Sequence, residues 1–250
     1  MAGLICSLDV RIAYVDAAGQ LTGGGYIGLI NPVNFTFEQP EPERIQRTSN
    51  LRDSFGNVLD EVVRPNPATI TMGTDETGDS QVMAWAFSGE VTGYTQSGAT
   101  VTEATTAVTK GLWTKLPHRQ ISSLVVQPAG GGTAYVLGTD YIVDLIGGLI
   151  LPTQSGAIAT GNVDVSYTAA ALTGDTIVGG TVPSISVRID GEGRNLATNE
   201  PIHIVVPRAV LAASGGLPLI GQEFTSFEMA GSPIKLPGLP LISINKPRAA

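Results

Sequence analysis

Apolar and polar residues alternate with a period of two along most of this chain, and only one stretch repeats at the helical period. Val10–Val15 (VRIAYV) alternates and predicts a strand. Tyr26–Glu38 (YIGLINPVNFTFE) predicts another, interrupted by Pro32 and so an edge strand or a bulged one. Ala68–Met72 (ATITM), Thr100–Lys110, Pro183–Asp190 (PSISVRID) and Pro201–Val206 (PIHIVV) read the same way, and Leu112–Gln127 holds one or two strands around Pro117. The clearest β pattern lies in Thr133–Ala169. There TAYVLGTDYIVDLIGGLILP offers strands split by Gly-Thr-Asp and Gly-Gly turns, the second a hairpin signal, and NVDVSYTA alternates strictly. Phe224–Gly231 and an apolar LPLISI close the series. Asp79–Gly89 (DSQVMAWAFSG) predicts the one helix. Asp79 or Ser80 caps it and Gly89 ends it, while Val82, Trp85 and Ala86 form an apolar stripe flanked by Met83 and Phe87. Many short strands at this spacing, with this one short helix beside them, predict an all-β sandwich or small barrel, and 250 residues could make one such domain or two smaller ones.

One segment breaks the pattern. Residues 41–67 (EPERIQRTSNLRDSFGNVLDEVVRPNP) gather Arg44, Arg47, Arg52 and Arg64 beside Glu41, Glu43, Asp53, Asp60 and Glu61. They also carry Ile45, Leu51, Phe55, Val58, Leu59, Val62 and Val63, too apolar for an inert solvated loop. Structureless loops longer than ~12–15 residues are uncommon unless they are functional or disordered. Mixed charge around an aromatic and several aliphatics predicts a docking arm, with a small apolar anchor and a polar rim. The alternative is a loop folded back on its own domain.

Composition narrows the function classes. Charged residues make up 14% of the 250, below the usual quarter or so, and there are 31 glycines. The net charge of −8 argues against a protein that grips nucleic acid, which needs Lys and Arg to neutralise phosphates. It is compatible with a wall that DNA slides past, since like charges repel. The single cysteine, Cys6, allows no disulfide within the chain and suits a reducing compartment. The start MAGLICSLDV lacks a basic region and reaches Asp9 quickly, so no signal peptide is expected. Apolar runs are short and broken by Gly or Pro, well under the ~20 residues of a spanning helix.

Candidate chemistry is sparse. Gly23, Gly25 and Gly28 satisfy GxGxxG, but the residues that follow (LINPVNFTF) form no helix, so a flexible turn is expected rather than a nucleotide site. His118 and His203 are the only histidines, with neither HExxH nor i, i+4 spacing to hold zinc. His203 falls within an alternating strand and His118 in a loop after Pro117. No nucleophile elbow or Walker A pattern is present, and nothing near Cys6 marks a base. GTDETGD (Gly73–Asp79) lacks the calcium-loop pattern and reads as an exposed turn and a helix cap. Asn34-Phe35-Thr36 is a formal glycosylation sequon without a secretory context. These readings predict no enzyme, no cofactor and no metal.

Taken in order, several segments resemble the tail tube (major tail) proteins of long-tailed bacteriophages with non-contractile tails. They are GGYIGLINPVNFTFEQPEPE; the loop RIQRTSNLRDSFGNVLDEV leading into PATITM; the helix DSQVMAWAFSGEV; GTDYIVD…GLILP…GAIATGNVDVSYTA; and IHIVVPRAVLAA…PLIGQEFTSFEMAGSPI. The resemblance runs from about residue 20 to 235. It implies a single domain over residues 1–250, a β-sandwich or small barrel with one flanking helix, whose copies form hexameric rings stacked into a hollow tube that passes DNA without specific binding. It further implies a virion-tail location after assembly in the bacterial cytoplasm, and partners among the tape measure, tail terminator and tail tip proteins, with no membrane. On this resemblance Arg44–Val62 is the docking arm, with Arg44, Arg47, Leu51, Arg52, Asp53, Phe55, Leu59, Asp60 and Glu61 as its contact residues. Glu103, Asp140, Asp144 and Asp164 are expected as strand-associated acids facing the lumen. Residues 123–183, including AALTGDTIVGGTVP (170–183), exceed the simplest members and are expected as β-rich elaboration. The alternatives are a tail terminator, hub or head-decoration protein, which would close one ring, or a monomeric β-sandwich module that binds a surface through exposed aromatics.

Overall fold

The computed structural model describes residues 5–221 and 224–247. Where one domain was expected, the chain divides into two compact units. The first is Met1–Val91 with Ile177–Ala250, and the second, Thr92–Thr176, is inserted between those halves. Local alternation shows where strands lie but not which distant strands they pair with, so this division left no mark on the pattern.

Strands are numbered in chain order. The first unit begins with β1 (Cys6–Tyr14), β2 (Ile27–Ile30), β3 (Pro32–Glu38), β4 (Glu43–Thr48), β5 (Val58–Arg64), β6 (Thr69–Thr74) and helix α1 (Ser80–Ala86). The chain leaves along β7 (Glu90–Gln96) and builds β8 (Ala99–Val108), β9 (Thr114–Lys115), β10 (Ile121–Pro128), β11 (Tyr141–Asp144), β12 (Leu149–Pro152) and β13 (Gly161–Ala169). It returns along β14 (Leu172–Val178), which pairs with β7. The first unit is completed by β15 (Ile185–Asn195), β16 (Pro201–Ser214), β17 (Phe227–Pro233) and β18 (Ser243–Asn245).

The main sheet of the first unit runs β2-β1-β15-β16-β17-β6-β3, with β18 added on β16, and its ladders are antiparallel. Its two edge strands, β2 and β3, are separated in sequence by Asn31 alone. At ~4.8 Å per strand a flat sheet of this order would hold its edges roughly 29 Å apart. With one residue between them the strand ends lie at most ~7 Å apart, so the sheet must curl until its edges meet at that corner. They meet without pairing, and the sheet is not a closed barrel. The corner is pinned: Asn31 Nδ2 donates to Asp75 Oδ1 at 2.7 Å, and the buried Thr74 hydroxyl donates to the Asn31 carbonyl at 2.9 Å. The break at Pro32 read from the sequence is this corner.

Curling wraps the sheet around Val10, Ile12, Ile70, Met72, Val187, Ile189, Leu211 and Met229, and α1 buries Val82 and Trp85 in the same core. Asp79 caps α1 by accepting from the amides of Gln81 (2.8 Å) and Val82 (3.0 Å). Trp85 Nε1 donates to the Tyr14 hydroxyl at 2.7 Å and the two rings stand edge to face at 6.3 Å. On the outer face of β15, Tyr26 donates to Asp190, and Arg188 Nε donates to the same carboxylate at 2.8 Å. Burial would raise the Asp190 pKa, but the bonds from Arg188 and Tyr26, with His203 nearby, outweigh it and hold the group below its ordinary value.

The second unit has two three-stranded sheets, β10-β13-β8 and β11-β12-β9. Leu116, Val126, Ile150, Ile158, Val163, Val165 and Tyr167 form its own core. The Gly-Gly hairpin turn falls where expected, between β11 and β12. Gly148 has φ +67°, and a Cβ there would lie 1.9 Å from the His118 carbonyl oxygen, so this position requires glycine.

Candidate functional site

The charged segment is not a loop. Strands β4 and β5 pair antiparallel from Glu43↔Arg64 to Thr48↔Val58, with Leu59 as the extra residue of a bulge. They form a two-stranded sheet of their own, and every residue of both strands is exposed. That exposure explains why the sequence hid the strands. With no buried face there is no contrast between alternate positions for a period-two pattern to show.

The hairpin is held by charge across the ladder. Arg44 and Gln46 both bond Glu61, the Gln46 amide at 2.9 Å, and together they hold the Glu61 carboxyl below its ordinary pKa. Arg47 meets Asp60 at 2.5 Å and Arg64 lies 3.9 Å from Glu43. Cross-strand partners share a face, so one face presents Glu43/Arg64, then Ile45/Val62, then Arg47/Asp60: an apolar pair between two ion pairs. The tip is ordered by Ser49, the one buried residue of the arm. Its hydroxyl lies 2.7 Å from that of Ser54 and accepts from the Leu51 amide at 3.1 Å. Backbone bonds Ser49 N to Asn57 O (2.7 Å) and Gly56 N to Ser49 O (2.9 Å) close the turn, with Gly56 at φ +83°. The turn holds Leu51 and Phe55 out, 69% and 75% exposed. Arg52 and Asp53 beside them make no ion pair within the described residues, so the tip keeps one charge of each sign uncommitted. An isolated two-stranded hairpin is at best marginal in water, and this one has neither face covered. The fold-back alternative is not what the structure has.

A family described as "Protein of unknown function UCP028589" matches residues 14–235. The chain belongs to this family. It is also similar to the tail sheath protein of Burkholderia phage BcepMu, with 47% identity over 47 residues. That match covers 19% of the chain and 10% of the sheath protein, so the two share a short stretch and not their whole length.

The four acids picked from the sequence all fall in the inserted unit of this family member, and they do not form one surface group. Asp164 is buried, accepting from the Thr105 hydroxyl and the Gly130 amide at 2.8 Å each. It therefore faces no lumen: alternation sets it on the face opposite Val163 and Val165, and there Thr105 and the Gly130 turn cover it. Asp140 precedes β11 and accepts from the amides of Val136 and Ala157 at 2.8 Å each, which hold its carboxyl below the ordinary value. Asp144 ends β11 and accepts from the amides of Ile146 and Gly147 at 3.0 Å each. Glu103 is exposed at φ +50° and accepts from the Gln127 amide at 3.3 Å. Three of the four thus stabilise turns of their own unit.

His118 and His203 lie apart in sequence and role. His118 Nδ1 lies 2.9 Å from the Tyr167 hydroxyl, and His203 faces Glu192 across the β15–β16 ladder. Among the described residues no three His, Cys, Asp or Glu side chains gather as a metal site would need. Gly23 and Gly25 lie in a turn leading into β2, which contains Gly28, rather than into a helix. What sequence reasoning missed is a groove in the second unit lined by Tyr94, Lys115, Arg119, Ile146, Leu149 and Leu172, with a volume of about 450 Å³. Its two cations lie four residues apart in one stretch, TKLPHR, but Tyr94, Ile146 and Leu172 come from distant segments that no motif would have joined to them.

Proposed function

We propose that this chain is a structural protein of a phage tail that assembles with copies of itself, the β4–β5 hairpin docking each copy onto the next. The observation that carries the reading is the hairpin itself, ordered at its tip, uncovered on both faces and apolar at its exposed end. Membership of the virion tail rests on the short likeness to a tail sheath protein. The finer reading, stacked hexameric rings forming a tube for DNA, rests on the resemblance in the segment order and on the net charge of −8. Heterologous contacts that close sideways make rings, and contacts that never close along the axis make a tube. Opposite charges on the arm fix register and reject wrong approaches, while Phe55, Leu51 and Leu59 supply burial. Enzymatic activity is no part of the reading, and neither is a cofactor.

The test is negative-stain electron microscopy of the purified chain over a concentration series. Long hollow tubes with a regular axial repeat are expected. Single rings that never elongate would favour a terminator or hub. Persistent monomers with and without the other tail proteins would refute self-assembly and leave a surface-binding module.

A further inference from the structure

The inserted unit holds its charges in an uneven way. Its cations are Lys110, Lys115 and Arg119. Lys110 is committed, donating to the Gly156 carbonyl at 2.8 Å. Lys115 and Arg119 are exposed, form no ion pair among the described residues, and line the same groove beside Tyr94. Four of the unit's five acids are engaged elsewhere. Asp140, Asp144 and Asp164 accept from backbone amides elsewhere in their unit, Glu103 is bonded by Gln127, and only Asp175 reaches an adjoining wall of the groove. The groove is also built to hold its shape. The Gln96 side chain accepts from the Arg119 amide at 3.0 Å and donates to the Arg119 and Ala170 carbonyls at 2.9 Å each. The β11–β12 turn is bonded to the same wall through Leu116 N to Gly148 O (2.8 Å) and Gln120 N to Ile146 O (3.0 Å). That turn leaves Ile146 76% exposed at the rim.

The first unit carries a complementary feature. From the end of β3 to the start of β4 the chain reads Glu38-Gln39-Pro40-Glu41-Pro42-Glu43, an acidic strap at the root of the arm, exposed except for the half-buried Pro40. Two prolines stiffen it. Asn66 holds it from the side, donating to the Glu41 carbonyl at 2.6 Å and accepting from Gln39 Nε2 at 3.0 Å. Glu38 and Glu41 form no ion pair among the described residues.

We propose that the Lys115/Arg119 groove receives the 38–43 strap of a second copy of the chain, two carboxylates meeting two cations while the prolines pack on Ile146 and Leu172. This rests on the self-assembly reading and adds a second contact, on a different unit from the arm. The test compares the Lys115→Glu/Arg119→Glu chain, the Glu38→Lys/Glu41→Lys chain and the chain carrying all four changes. Sedimentation at low salt is expected to show each double reversal raising the concentration needed for assembly at least about tenfold. The fourfold chain should recover most of the loss. Unimpaired assembly of either double variant, or a fourfold chain worse than both, overturns the proposal. Should the natural chain fail to assemble at all, self-assembly falls and the groove is still tested on its own. The isotope-labelled full chain is titrated with a peptide of residues 38–43 and, separately, with a uronic-acid oligosaccharide. Shifts at Lys115 and Arg119 with the peptide, lost in the double reversal, support the groove. No shift, or a shift with the saccharide alone, overturns it.

Discussion

Replacing Phe55 by Ala separates docking from folding more sharply than deleting the arm. Phe55 is 75% exposed at the tip and makes no ring contact among the described residues. Truncating an exposed side chain typically moves stability by less than about 0.5 kcal/mol. Full burial of a large apolar side chain contributes roughly 1.5–3 kcal/mol. Covering the three-quarters that is exposed here therefore stabilises each arm contact by about 1–2 kcal/mol. That corresponds to a factor of about 5–30 in an equilibrium constant. The concentration at which half the chain pellets should rise by that factor in Phe55→Ala, while thermal unfolding below that concentration stays within a degree or two. Pelleting and light scattering across a dilution series measure the first, and near-UV circular dichroism the second. Unchanged assembly with unchanged stability would refute the role given to the tip. A large loss of stability would show that Phe55 belongs to the fold.

Other perturbations probe separate parts. Arg52→Glu should weaken assembly more at low salt than at high salt, because its exposed charge acts through screened attraction; pelleting at two ionic strengths reads this. Asp79→Ala removes the acceptor for the Gln81 and Val82 amides and should cost about 1 kcal/mol, seen as a lower denaturant midpoint. Gly148→Ala adds a Cβ against the His118 carbonyl and should lower the unfolding temperature of the inserted unit, read from its Trp113 fluorescence. Asp140 has a folded pKa below its unfolded value, so its stabilisation is complete above the ordinary carboxylate range and is lost as pH falls through the lower folded value. Acid unfolding of Asp140→Ala should accordingly be less steep on that limb than that of the natural chain.

How much was legible depended on contrast between faces. Strands with one buried side announced themselves: NVDVSYTA lies in β13, and PSISVRID and ATITM overlap the starts of β15 and β6. The helix cap at Asp79 and the Gly-Gly turn were local chemistry, and both fell where expected. The hairpin was visible only as an anomaly of charge, because both its faces are exposed and ERIQRT and VLDEVVR carry no alternation. The fate of Asp164 was illegible for another reason: its partners, Thr105 and Gly130, are brought to it by pairing across dozens of residues. The groove likewise joins Tyr94, Lys115 and Leu172 through long-range contacts that no spacing records.

The pairing of β7 with β14 bears on how such a chain can change over generations. Departure and return of the inserted unit run side by side, Thr92 Oγ1 donating to the Thr176 carbonyl at 3.3 Å. A graft point of this kind asks little of its host. Two neighbouring strand ends can be joined by a tight turn, or by a foreign module whose own termini are close, without disturbing the pairing of the main sheet. A gene in which residues 92–176 are exchanged for a short Asn-Gly turn should still encode a foldable first unit, leaving the inserted portion free to diversify on its own schedule.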